Sequence, residues 1–131
     1  MSILGRRVSK KVIATMTGLM LLVALVPAVS STPTREVTLV AKGMAFYLED
    51  DLQTANPTIE VKAGERVRVV LKNQDRGFVH DFAFPLGKVV TKEITWNQSG
   101  KVSFKVPKTP GTYEYYCQPH RLMMKGTIRV Y

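Results

Sequence analysis

The chain has one cysteine and two histidines among its 131 residues. Cys117 and His120 stand three residues apart in YYCQPHRLMMKGTIRVY, and Met123 and Met124 follow at once. Thiolate, imidazole and thioether are soft or borderline donors, suited to copper. Two histidines, one cysteine and a weak axial methionine make the donor set of a blue-copper electron-transfer site. The second histidine of such a set is His80, well upstream in FVHDFAFP. A tetrahedral Cys2His2 zinc site is impossible with one cysteine. Enzymes with a second copper centre need further cysteines or histidines, and this chain has none to spare. Taken singly, each residue has an ordinary reading: Cys117 a buried inert thiol, His80 a satisfied core histidine, His120 an exposed loop residue, the methionines gap fillers. Their joint spacing is what points to a metal.

These donors need a scaffold, and the chain after residue 30 is patterned as strands. EVTLVAKG, TIEVKAG, RVRVVLKNQ, FVHDFAFP, EITW, KVSFKVP, GTYEYYC and GTIRVY carry period-two alternation or β-branched and aromatic runs. Breaks fall at Gly, Pro, Asn and Asp. That gives eight candidate strands and a β-sandwich or barrel. Met44–Pro57 is the one ambiguous stretch, with room for a short helical turn. Phe46, Val69, Leu71, Phe84, Trp96, Phe104 and Ile128 are the expected core. On this layout a strand holds His80, and the loop from Cys117 to Gly126 supplies the other donors.

Residues 1–30 read differently. Arg6, Arg7, Lys10 and Lys11 precede an almost wholly apolar run from Val12 to Val29, and small residues follow. This is the pattern of an export signal, with Ala28 and Ser30 at −3 and −1 of a cleavage site after Ser30; cleavage after Ala28 also fits. The alternative is an uncleaved membrane tether through residues 12–29, weakened by Thr15, Thr17, Gly18 and Pro27. The Arg6-Arg7 pair is a weak twin-arginine signal. No cysteine near the cleavage region allows a lipid anchor. The expected division is thus a signal or anchor at 1–30 and one domain at 31–131, in a periplasmic, extracellular or membrane-associated setting.

The formal net charge is +9, but four of the 19 basic residues and none of the 10 acids lie in residues 1–30, so the domain carries about +5. That suits an acidic partner surface. No basic stretch interleaved with aromatics argues for nucleic acid. Outside the cytoplasm a single cysteine makes no internal disulfide and risks oxidation unless buried or bound. No general acid–base pair, nucleophile–base pair or phosphate-cradling loop is legible, so the chain does not read as an enzyme.

CQPHRLMMKGTI resembles the copper-binding loop of the cupredoxins, the plastocyanin–azurin family of small blue copper proteins. HRLMMKGTI is similar to the azurin-type run of His, three residues, then Met-Lys-Gly-Thr, which makes Met124 the axial residue. Cys117-Gln118-Pro119-His120 looks more like plastocyanin or amicyanin, and an amicyanin-like count selects Met123. NPTIEVKAGERVRVVLKN, FVHDF and PGTYEYYC resemble further stretches of the family. The residue after the first histidine is usually Asn there; here it is Asp81, which also accepts hydrogen bonds but adds negative charge.

The resemblance implies an all-β, eight-stranded Greek-key sandwich, one Cu(I)/Cu(II) ion on His80, Cys117, His120 and Met124, and single-electron transfer between redox partners. It also implies a partner docking near His120, on a patch formed by Pro119, Leu122 and Met123; nothing in the sequence demands more than a monomer. Arg121 and Lys125 would orient an acidic partner. The alternatives from other classes are a periplasmic copper carrier or buffer using the same ligands, and a metal-free binding module.

Overall fold

The computed structural model describes residues 34–131. The expected signal or tether segment lies outside the described residues. Period-two patterning becomes strands directly. In RVRVVLKN, Val67, Val69 and Leu71 point inward and are buried, while Arg66 and Arg68 stay exposed. Among the described residues nine strands form: β1 (Arg35–Lys42), β2 (Ala45–Leu48), β3 (Thr58–Val61), β4 (Arg66–Asn73), β5 (Ala83–Phe84), β6 (Val89–Val90), β7 (Ser99–Lys105), β8 (Gly111–Tyr116) and β9 (Lys125–Val130). They make two sheets, in the orders β2-β1-β4-β7 and β3-β9-β8-β5-β6. β1 pairs with β4, and β3 with β9, in parallel; the other pairs are antiparallel, so both sheets are mixed. This is the expected all-β sandwich.

One core lies between the sheets, with Leu39, Val69 and Leu71 from one and Phe84, Tyr115 and Ile128 from the other in a single cluster. Each such side chain contributes roughly 1.5–3 kcal/mol through burial. Tyr115 sits 5.5 Å from Phe46 and 5.3 Å from Phe82, ring to ring, and its hydroxyl donates to the Pro57 carbonyl at 2.7 Å. Its cross-strand partner is Gly126. A Cβ at Gly126 would stand 2.4 Å from the tyrosine ring, so the close approach requires glycine.

Several local expectations are corrected. FVHDFAFP forms a strand only at Ala83–Phe84, and EITW forms none; His80 and Ile94 make a single isolated bridge instead. Their backbones exchange two hydrogen bonds, Ile94 N–H to the His80 carbonyl at 2.8 Å and His80 N–H to that of Ile94 at 3.1 Å. Met44–Pro57 holds β2 and turns, while a 3-10 turn appears at Pro85–Gly87. Six of the seven expected core residues are buried, but Trp96 is 44% exposed. Its ring lies under the Arg76 guanidinium at 3.8 Å, and Ile94 takes the inward position.

Strand direction gives the sandwich two unlike ends. The Lys62–Glu65 turn, the loop 106–110 and Tyr131 gather at one, joined by Gly64 N–H to Pro107 and Ala63 N–H to Tyr131. The segments after β1, β4 and β8 gather at the other. Between them runs β4, eight residues long, or roughly 23 Å.

Candidate metal centre

The end beyond β4 and β8 collects the chain's cysteine and both of its histidines. β8 delivers Cys117, which is fully buried. His80 is also fully buried, held by its bridge to Ile94. Asn73, at the end of β4, secures this region with a buried side chain. Its amide donates to the carbonyls of Phe78 and Ile94, both at 2.9 Å, and its oxygen accepts the Asp75 N–H at 2.7 Å. Thr91 fastens the next residues, its hydroxyl accepting the Phe82 N–H at 3.0 Å.

The loop from Cys117 to Met124 is closed mainly upon itself. Cys117 N–H donates to the Met124 carbonyl at 2.9 Å, His120 N–H to that of Cys117 at 3.2 Å, and Met124 N–H to that of His120 at 2.9 Å. Two ties from its backbone reach outside. Asp81 accepts the Gln118 N–H at 2.7 Å, and the Asn56 side-chain amide donates to the Met123 carbonyl at 3.0 Å. Asp81 thus accepts a hydrogen bond from the loop and braces it. Met124 is fully buried, whereas Met123 is 59% exposed.

His80, Cys117 and His120 offer ligand atoms that all lie within 4.8 Å of one another. Nδ1 of each histidine is 3.7 Å from the Cys117 sulfur. Bonds of about 2.3 Å to sulfur and 2.0–2.1 Å to nitrogen, typical of zinc, separate S and N by roughly 3.7 Å at an angle near 120°. The donor set and its spacing therefore fit one ion between three ligands. Burial pushes the Cys117 thiol pKa up and the His80 pKa down, so both lean to their neutral forms. A bound cation would reverse this for the thiol, which loses its proton on coordination.

Three features escaped the sequence reading. Asp75 accepts from His80 Nε2, 2.9 Å away. Burial raises its carboxyl pKa, but the N–H groups of Met44 and Gly43 and the His80 ring outweigh that and leave it below the usual range. Asn73, described above, is the second. The third is Phe78, 48% exposed, whose ring meets His120 edge-on at 6.1 Å. Nothing in local spacing links residues 43, 44, 75 and 80; only the fold does. Asp81 has a raised pKa, chiefly from burial.

Among known protein families, one described as a cupredoxin-like domain matches residues 13–130. The chain belongs to the cupredoxin-like family. A chloroplastic plastocyanin from Physcomitrium patens is 37% identical over 100 residues, covering 66% of this chain and 51% of that protein. The chain therefore spans about half the length of that relative. Reduced rusticyanin is 29% identical with a TM-score of 0.55, covering 77% of this chain and 81% of that one. Auracyanin B is 25% identical with a TM-score of 0.60, covering 79% and 93%. The cupredoxin reading made from the loop residues agrees with this membership.

Proposed function

We propose that this cupredoxin holds one copper ion and passes single electrons between redox proteins. The observation that carries the proposal is the pair of 3.7 Å separations from Cys117 sulfur to His80 Nδ1 and His120 Nδ1. Copper bound there supplies a one-electron couple, Cu(II)/Cu(I). His80, Cys117 and His120 would hold the ion, with buried Met124, rather than exposed Met123, as the fourth and weaker donor. The protein's contribution is rigidity: a bridged, buried His80 and a self-closed loop hold the donors in one arrangement. His120 is half-buried at the rim, beside exposed Phe78, Leu122 and Met123. That apolar rim is the docking surface, and the half-buried ring the exit for the electron.

The partner is acidic around this rim, matched to the domain's net positive charge. Arg121 stacks over Tyr116 at 4.2 Å and lies 3.4 Å from Glu114, which offsets its charge, so Lys125 is the stronger steering group. Association weakens as salt rises. The segment 1–30 directs export, by cleavage or by retention through residues 12–29. A copper-carrier role is less supported, because His80, Cys117 and Met124 are buried and exchange would require the loop to open.

The test is an absorption spectrum of the purified chain, metal-free and with one equivalent of Cu(II). An intense band near ~600 nm, bleached by ascorbate and absent from Cys117→Ser, is expected. A colourless wild type, or an unchanged band in the variant, overturns the proposal. Copper drawn off quickly by a modest chelator would turn it into a carrier.

A further inference from the structure

The turn between β1 and β2 contains two consecutive left-handed residues, Gly43 at φ 57° and Met44 at φ 59°. Glycine adopts this conformation freely, but for methionine it carries strain of order 1–3 kcal/mol. The pair aims two N–H groups at one carboxylate. Gly43 N–H donates to Asp75 Oδ1 at 2.6 Å, and Met44 N–H donates to Asp75 Oδ2 at 3.1 Å. Oδ2 also lies 2.9 Å from His80 Nε2. The Asp75 backbone is fixed as well, its N–H donating to Asn73 Oδ1. Only 12% of the Asp75 side chain is exposed.

The carboxylate can only accept, so Nε2 of His80 must carry the ring hydrogen. The lone pair then sits on Nδ1, the nitrogen that faces Cys117. The ring is also prevented from turning over, since that would set the carbon Cε1 against Asp75 and Cδ2 against Cys117, and lose the bond.

We propose that Asp75 is a positioning residue of the metal centre, holding His80 with its hydrogen on Nε2 and Nδ1 toward the metal, and favouring Cu(II) over Cu(I) through its negative charge. Histidine ligands commonly donate their second nitrogen to an outer group, which raises their basicity. Here that group is a full carboxylate, fixed by a strained turn from another strand pair. The charge effect rests on the copper reading; the control of His80 does not.

Two measurements separate those parts. Nitrogen-15 NMR of the metal-free chain reports which His80 nitrogen bears the hydrogen. The wild type is expected to show Nε2–H alone, and Asp75→Asn a mixture of both forms. A wild-type His80 protonated on Nδ1 overturns the proposal, whether or not the variant folds. In the copper-loaded protein, Asp75→Asn should shift the preference between oxidation states toward Cu(I) by roughly tenfold, ~59 mV upward in potential. Met44→Gly, which relieves the strained turn and keeps the charge, should leave the potential unchanged. A potential unmoved by Asp75→Asn, or moved equally by Met44→Gly, overturns the charge effect. A chain with Nε2–H on His80 but no copper band supports the positioning role and sinks the copper reading with the charge effect.

Discussion

His80 and His120 place Nδ1 at the same 3.7 Å from the Cys117 sulfur, yet the segments that carry them are built differently. The His80 segment has no local structure of its own. It is fixed by hydrogen bonds from distant places: Ile94, Asn73, Thr91 and, through Asp75, the β1–β2 turn. The loop that carries His120 is a short closed circuit of backbone bonds between residues 117 and 124. One histidine is thus held by the whole fold, the other by eight residues. Damage to the fold should reach the centre through His80, while changes to the loop surface should leave the fold alone.

The strongest way to break this contrast is Asn73→Ala. It strips three hydrogen bonds from a buried side chain and should destabilise the metal-free chain by roughly 3 kcal/mol, measured by urea unfolding. A loss under about 1 kcal/mol would mean the His80 segment is not held as described. Asp81 joins the two halves, so Asp81→Ala should cost about 1–2 kcal/mol, and Asp81→Asn, which keeps the acceptor, much less. Equal losses in the two variants would exclude the bond to Gln118 as the cause. Leu122→Ala sharpens the contrast from the other side. Leu122 is 92% exposed, so stability should change by less than about 0.5 kcal/mol, while electron exchange with an acidic partner slows. Unchanged exchange would remove Leu122 from the docking rim.

The same contrast explains what was legible in the sequence. The self-closed loop is written in contiguous residues, so Cys117 and His120 could be read from their spacing, while the choice of Met124 over Met123 came from the resemblance to azurin-type loops. His80 was found only because the chain has no other histidine to offer. Its surroundings were misread as a full strand, since FVHDFAFP is rich in strand-forming types. In the fold, Asp81 turns in to brace the Cys117 loop, and Pro85 has no N–H to extend the pairing. Trp96 was expected in the core on size and apolarity. Asn97, at φ 62°, turns the chain just after it, and the indole finds Arg76 instead. Asp75 stands in the turn-like stretch Gln74–Gly77 and gave no local signal, because its role depends on contacts over 30 residues away in sequence.

The two unlike ends have a consequence for handling the molecule. Tyr131 is 57% exposed at the end away from Cys117, and β9, six residues long, separates it from the loop, a span of roughly 17 Å. A chain fixed to an electrode through its C-terminus would point His120 into solution. Laid on an apolar film, the same chain would rest on Phe78, Leu122 and Met123 with the imidazole against the conductor. Whether a given device reads current from this protein is then decided by which end it grips.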